Sequence, residues 1–275
     1  MSKRLFLFAA HDPQDRLSET ALWYLSALKE LGSIRFSCDN NLDSKDLEKL
    51  EGMCEYVFAA PHGEYDFGSY KRAFKGAALD GLDYLYLVND SVAGPLYPLE
   101  PFLEKMEASG ADAFALARHP SRRGAHLQSW FIGFRSSVFR TDWFACFLGS
   151  VTAHPDKGAV YELYENGLTR LLEEHGATCY ALYSLPGKSV YNNVAALYRK
   201  GFPFLKRSAL TRHGGALGGR VLYILERVDP SLRTALEADS ARLQGPAYMD
   251  AFLTKNPFIL AGRYLSYLWK KVTGR

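Results

Sequence analysis

Cysteine is scarce in this chain. Cys38, Cys54, Cys146 and Cys179 lie far apart and make no Cys-x-x-Cys pair. That spacing argues against a zinc site and a disulfide framework, and it fits a reducing cytoplasm. Long apolar runs are missing too, since no stretch is long enough to span a bilayer. The run Leu5 to Ala10 stops at His11-Asp12, which suits a first strand better than a signal peptide. Excess charge is small: a net charge of +3 over 275 residues gives no general attraction to nucleic acid. There is no glycine-rich phosphate loop and no Ser-His-Asp or Cys-His signature. Their absence counts against a phosphatase or hydrolase built on a similar sheet. No internal repeat or low-complexity segment interrupts the chain.

What is present is an ordinary soluble composition, 48% hydrophobic and 23% charged, in a chain long enough to bury a sizeable core. Short apolar runs predict strands at 5–10, 33–38, 56–60, 84–88, 113–117, 126–134 and 178–183. Between them, helical spacing appears at 17–31, 44–50, 66–78, from 98 or 99 onward, and at 138–148 and 160–175. This alternation predicts an α/β fold with a mostly parallel sheet flanked by helices. Beyond Gly219 the strand signals stop, and 221–244 reads as helix except at Pro230. We therefore expect a main domain over 1–215 and a helical extension over 216–275.

The organising stretch is Tyr84 to Met106. The apolar run 84–88 reads as a strand buried on both faces, and it ends in Asn89-Asp90-Ser91. In open α/β sheets ligands sit beyond the carboxyl ends of the strands, so Asp90 is the expected centre of a site. A carboxylate there can hold a divalent cation, Mg2+ or Mn2+, and the cation a diphosphate. A second reading gives Asp90 and Ser91 only a turn or a cap. Asp66 has the same two readings, helix cap or neighbour of a nucleotide ribose or base. The loop 118–126 holds Arg118, Arg122 and Arg123 with no acid, well placed for phosphate. The row 199–220, with Lys206 and Arg207, is likewise free of acid. His126 and Gln128 share one face of the predicted strand 126–134. Glu162 and Glu165, three apart on the predicted helix 160–175, are expected on one face, either solvated or pointing into a cleft. The end of the chain, 257–271, mixes aromatic and basic residues; it suits a helix at an anionic membrane surface, or one docked on the main domain.

Four segments in this order and spacing, EYDFGSYK (64–71), LVNDSVAGPLYPL (87–99), HLQSWFIGF (126–134) and GFPFLKRSAL (201–210), resemble the rhamnan synthesis protein F family of bacterial glycosyltransferases. YENGLTRLLEEHG (164–176) is also similar to that family. The resemblance spans roughly residues 5–210. It implies a Rossmann-type fold of the GT-A kind and transfer of a sugar, rhamnose in many members, from a nucleoside-diphosphate donor. The implied acceptor is a growing surface glycan such as an O-antigen, capsule or cell-wall polysaccharide, carried on a lipid. Members often have arginine and asparagine where this chain has Ala60 and His62, and glycine where it has Glu64. Asn89-Asp90-Ser91 offers one carboxylate where many GT-A enzymes have two.

On this reading Asp66, Asn89, Asp90, Ser91, Arg122, Arg123, Gln128, Lys206 and Arg207 bind the donor. Asp90 and His126 hold a cation, and Glu165, backed by Glu162, is the acceptor's base. The protein would be cytoplasmic, peripheral at the inner face of the cytoplasmic membrane. The competing reading is a non-catalytic glycan- or partner-binding scaffold of the same fold.

Overall fold

The computed structural model describes residues 2–120 and 125–273. The chain forms two compact units. The first comprises Met1–Asp90 and Pro98–Gly187, the second Ser91–Tyr97 and Lys188–Arg275. The units therefore part at Gly187, and the boundary expected at 215 falls inside the second.

In the first unit, β1 (Arg4–Ala10), α1 (Glu19–Lys29), β2 (Ser33–Cys38), α2 (Ser44–Glu51), β3 (Tyr56–Ala59), α3 (Tyr65–Phe74) and β4 (Tyr84–Asn89) follow the predicted alternation. After β5 (Val92–Ala93), which belongs to the second unit, come α4 (Glu100–Glu107), β6 (Ala113–His119), β7 (His126–Leu127) and β8 (Phe131–Arg135). Helices α5 (Ser136–Phe139), α6 (Asp142–Gly149), α7 (Lys157–Val160) and α8 (Asn166–Glu174) precede β9 (Cys179–Ser184). Among the described residues the sheet has eight strands, ordered β3-β2-β1-β4-β8-β6-β7, with β9 also on β6. β7 and β8 run against the others, so the sheet is mostly parallel.

Strand alternation sorts the core into two chemistries. Leu5, Leu7, Leu85, Leu87, Ile132 and Phe134 pack with Tyr70 of α3, Phe144 of α6 and Leu168 and Leu172 of α8. The intervening positions are aromatic: Phe6 stacks on Tyr86 at 5.1 Å, and Tyr86 meets Phe114 and Phe131 edge-on. Each fully buried side chain of this kind contributes about 1.5–3 kcal/mol. Arg4 forms a buried double hydrogen bond to Glu107, at 2.6 and 2.8 Å, and Glu107 also accepts from the Tyr86 hydroxyl at 2.7 Å.

Three predicted elements are broken, each for a visible reason. The strand expected over 126–134 is two strands. Ala115 pairs with Ile132 but Arg118 pairs with Leu127, three steps on β6 against five on the other side. Residues 128–130 are thus bulged out, a distortion that frees backbone groups and re-aims side chains. The helix expected over 160–175 contains a π turn, Tyr161–Glu165, between α7 and α8. The helix expected over 138–148 is α5 and α6, because the Thr141 side chain caps a new start by accepting from the Phe144 amide.

In the second unit, β5 pairs antiparallel with β10 (Leu205–Lys206), and α9 (Ser189–Asn192) and α10 (Val194–Arg199) precede β10 in the chain. Then follow α11 (Gly218–Leu225), α12 (Pro230–Gln244), α13 (Pro246–Phe252) and α14 (Pro257–Thr273). Pro230 starts α12, with the Asp229 carboxylate accepting from the Ser231 amide. The core of this unit joins Ala93, Val194 and Leu205 to Val221, Ile224, Leu236, Met249 and Phe252.

Candidate active site

Because β1, β2, β3, β4 and β6 run the same way, the residues that follow them gather along one edge of the sheet. The Asp90 carboxylate accepts a hydrogen bond from the His11 amide at 3.3 Å. The His11 ring Nδ1 lies 3.1 Å from the Asp39 carbonyl. One Asp39 carboxylate oxygen accepts from the amides of both His62 and Gly63. His62 is fixed at both ring nitrogens: Nδ1 accepts from the Glu64 amide at 3.1 Å, and Nε2 sits 3.0 Å from the Ser69 hydroxyl. Nδ1 is therefore unprotonated and Nε2 carries the hydrogen. Burial lowers the His62 pKa below its ordinary value, with the Asp39 charge opposing the shift. Glu64 pairs with Arg72 at 2.7 Å. A small recess, with room for little more than a water molecule, lies beside these groups and is lined by His11, Asp12, Arg16, Cys38, Asn40 and Asp90.

A second convergence lies at the end of β4. The Asn89 side-chain amide donates to Asp66 at 2.9 Å, and the Asn89 backbone amide donates to the Trp130 carbonyl at 3.3 Å. In the bulge, the Ser129 amide donates to Glu165 at 3.2 Å, while the Tyr70 hydroxyl donates to the Ser129 carbonyl at 3.2 Å. Burial raises the Tyr70 pKa well above its ordinary value, and the charges of Asp66 and Glu165 push the same way. Two carboxylates from separate helical elements, Asp66 in the first turn of α3 and Glu165 at the end of the π turn, thus flank one buried tyrosine.

The structure gives several expected site residues definite partners. Glu162 and Glu165 do not share surroundings. A π turn bonds i to i+5, seen in the Asn166 amide reaching the Tyr161 carbonyl, so a three-residue step falls well short of a full turn. Glu162 is exposed and accepts from the Asn166 side chain, whereas Glu165 is half-buried on the bulge. The His126 ring stacks on His119 at 5.3 Å and places Nε2 3.0 Å from the Tyr161 hydroxyl. Among the described residues no group of three or more His, Cys, Asp and Glu is arranged to hold a metal ion. The Gln128 side chain accepts from the Trp130 indole at 2.7 Å. Asp66 lies in the first turn of α3, and the N-cap position is Glu64. Arg122 and Arg123 lie outside the described residues. Within the second unit, the Lys206 ammonium donates to the Ser91 hydroxyl at 2.8 Å, and the Arg207 amide to the Ser91 carbonyl at 3.0 Å.

Sequence reading passed over His11, Asp39, Ser129 and Tyr161. The rule that singles out Asp90, a polar residue just past a strand, applies equally to His11 and Asp39. No comparable signal marks Ser129 or Tyr161, whose roles depend on the bulge and the π turn.

Its family defines this protein as a nucleotide-sugar-dependent glycosyltransferase. The rhamnan synthesis protein F family matches residues 34–241, well over half the chain, and the chain belongs to that family. Among solved structures it is similar to a Desulfovibrio desulfuricans G20 protein described as a nucleotide-diphospho-sugar transferase, at 20% identity and a TM-score of 0.40, covering 86% of this chain and 99% of that one. It is also similar to residues 1–349 of TarS from S. aureus in complex with UDP, at 11% identity and a TM-score of 0.42 over 100% of this chain and 92% of that one. A third likeness is core-mannan synthase A of Aspergillus fumigatus in its Mn/GDP form, at 10% identity, a TM-score of 0.35, and 66% and 73% coverage. The family match, not these distant likenesses, decides the class. No curated protein matches the chain.

Proposed function

We propose that this protein transfers a sugar, rhamnose by the family's description, from a nucleoside-diphosphate donor to a growing cell-surface polysaccharide. The acceptor, an O-antigen, capsule or cell-wall glycan, is carried on a lipid, and the protein works peripherally at the inner face of the cytoplasmic membrane. The observation that carries this reading is the convergence of Asp66, Asn89, Tyr70 and Glu165 on the bulge at 128–130, one residue from Asp90. It provides a fixed carboxylate at the edge where α/β sheets receive ligands.

Departure of a diphosphate builds negative charge that the site must stabilise. Asp90 is the residue that would hold a divalent cation, Mg2+ or Mn2+, whose positive charge supports the leaving oxygens. A single carboxylate suits that ion, because Mg2+ is commonly held by one or two carboxylates together with substrate phosphates. His126, engaged by Tyr161 and His119, is reassigned from cation ligand to support of the π turn. Lys206 and Arg207, with Ser91, are assigned to donor phosphates on their chemistry, as are Arg122 and Arg123. Asn89 orients Asp66 toward the donor, and Gln128 holds the Trp130 indole. Glu165 takes the proton of the attacking acceptor hydroxyl. Its hydrogen bond from the Ser129 amide aims the carboxylate.

The test is release of nucleoside diphosphate from a panel of nucleotide sugars, with and without a chelator, using the purified full chain. Asp90→Ala is expected to lower turnover by about 10²-fold or more, as loss of charge stabilisation does elsewhere. A rate close to that of the unsubstituted protein would remove Asp90 from the mechanism.

A further inference from the structure

We propose that the outward face of α14 is an in-plane anchor for an anionic lipid bilayer, which gives the peripheral reading above a defined surface and partner. Within the second unit this helix is held through Leu260, Arg263 and Tyr267. Leu260 lies over Gly219, the Arg263 guanidinium reaches the Phe252 carbonyl at 3.5 Å, and the Tyr267 ring meets the His213 ring edge-on at 4.6 Å. The other side is apolar and exposed: Phe258 is 85% exposed, Leu265 64% and Val272 85%, with Trp269 more than half exposed between them. At 3.6 residues per turn, positions 258, 265, 269 and 272 fall in one narrow stripe, turned away from 260, 263 and 267. A continuous apolar stripe of this kind marks an interaction surface rather than ordinary exposed residues.

Charge selects the occupant. Residues 257–275 contain no Asp or Glu, while the sequence there carries Arg263, Lys270, Lys271 and Arg275. A second copy of this helix would bring no acid to pair with those basic residues. An anionic headgroup layer supplies the missing charge, and the apolar stripe sinks to the acyl boundary beneath it. Trp269 adds an aromatic ring of the kind that favours the interface. Among the described residues no helix is long and apolar enough to cross a membrane, so α14 lies along the surface.

The experiment is co-sedimentation of the full chain with phosphatidylcholine vesicles, with or without phosphatidylglycerol. Binding is expected only with phosphatidylglycerol and should weaken as salt rises. A Leu265→Asp, Val272→Asp double variant changes two exposed side chains, so its circular dichroism should match the parent. Its vesicle partition should fall by about tenfold or more, with donor turnover in solution unchanged. Absence of binding by the parent chain, or equal binding by the folded double variant, would overturn the proposal. So would a parent dimer that the double variant turns into monomer without any vesicle binding. Vesicle binding by a chain that turns over no nucleotide sugar would sink the transfer reading and leave this one standing.

Discussion

Glu162 and Glu165 are separated by three residues and by very different surroundings, and a paired substitution exploits that. Glu165→Gln should lower transfer by about 10²- to 10⁴-fold, the usual contribution of a positioned base. Glu162→Gln, changing an exposed carboxylate bonded to its helix neighbour Asn166, should leave the rate near normal. Equal losses in a donor-release assay would refute the assignment. His62 gives a pH prediction. Burial holds its pKa below the ordinary 6.5, so the folded ring resists a proton that the unfolded chain accepts. Stability is then fully present above that ordinary value and falls as pH drops through it toward the folded pKa. Thermal melts across this window should show the fall, and His62→Gln should flatten that part of the curve. A His62→Gln profile parallel to the parent's would exclude His62 as the cause. The cysteines follow the same physics, since burial pushes the Cys38 and Cys54 thiols up to about 12. They are inert thiols at neutral pH, in keeping with a site that uses no cysteine.

At the level of elements, legibility depended on whether the cause was local. Every strand with a short apolar run could be read directly, because burial on both faces leaves its mark in consecutive residues. The place of Asp90 just past β4 could be read too, since the end of a strand is a local fact. The bulge at 128–130 could not, because it exists only in the register between β6 and its partners. For the same reason Ser129 and Tyr161 escaped notice while Asp66 and Glu165 did not. β5 and β10, two residues each, are too short for any pattern to register. Gly133 in β8 shows how closely the neighbouring strands approach. A methyl group there would overlap the Phe114 ring and meet the Tyr86 ring at 2.6 Å, both fully buried. Gly133→Ala should therefore cost about 1–3 kcal/mol, the range for overpacking a core. Urea denaturation would check this, and an unchanged midpoint would show that the rings can yield.

For the molecule as a whole, the sequence places the change from sheet to helices correctly in kind, because strand signals do stop near Gly219. It does not reveal that a seven-residue piece, Ser91–Tyr97, is contributed to the second unit from between β4 and α4. That interleaving has a practical result for anyone trimming the gene. A protein stopped at 215 would keep Ala93, Val194 and Leu205 but lose Val221, Ile224, Leu236 and Met249, the side chains that cover them. It should aggregate or melt well below the parent, and a soluble, fully active product would contradict the described core. Stopping at 187 removes β10 as well and leaves β5 a strand with no ladder to join. A stop codon at 187 therefore spares the interior of the first unit and still strands a seven-residue piece that belongs to the other.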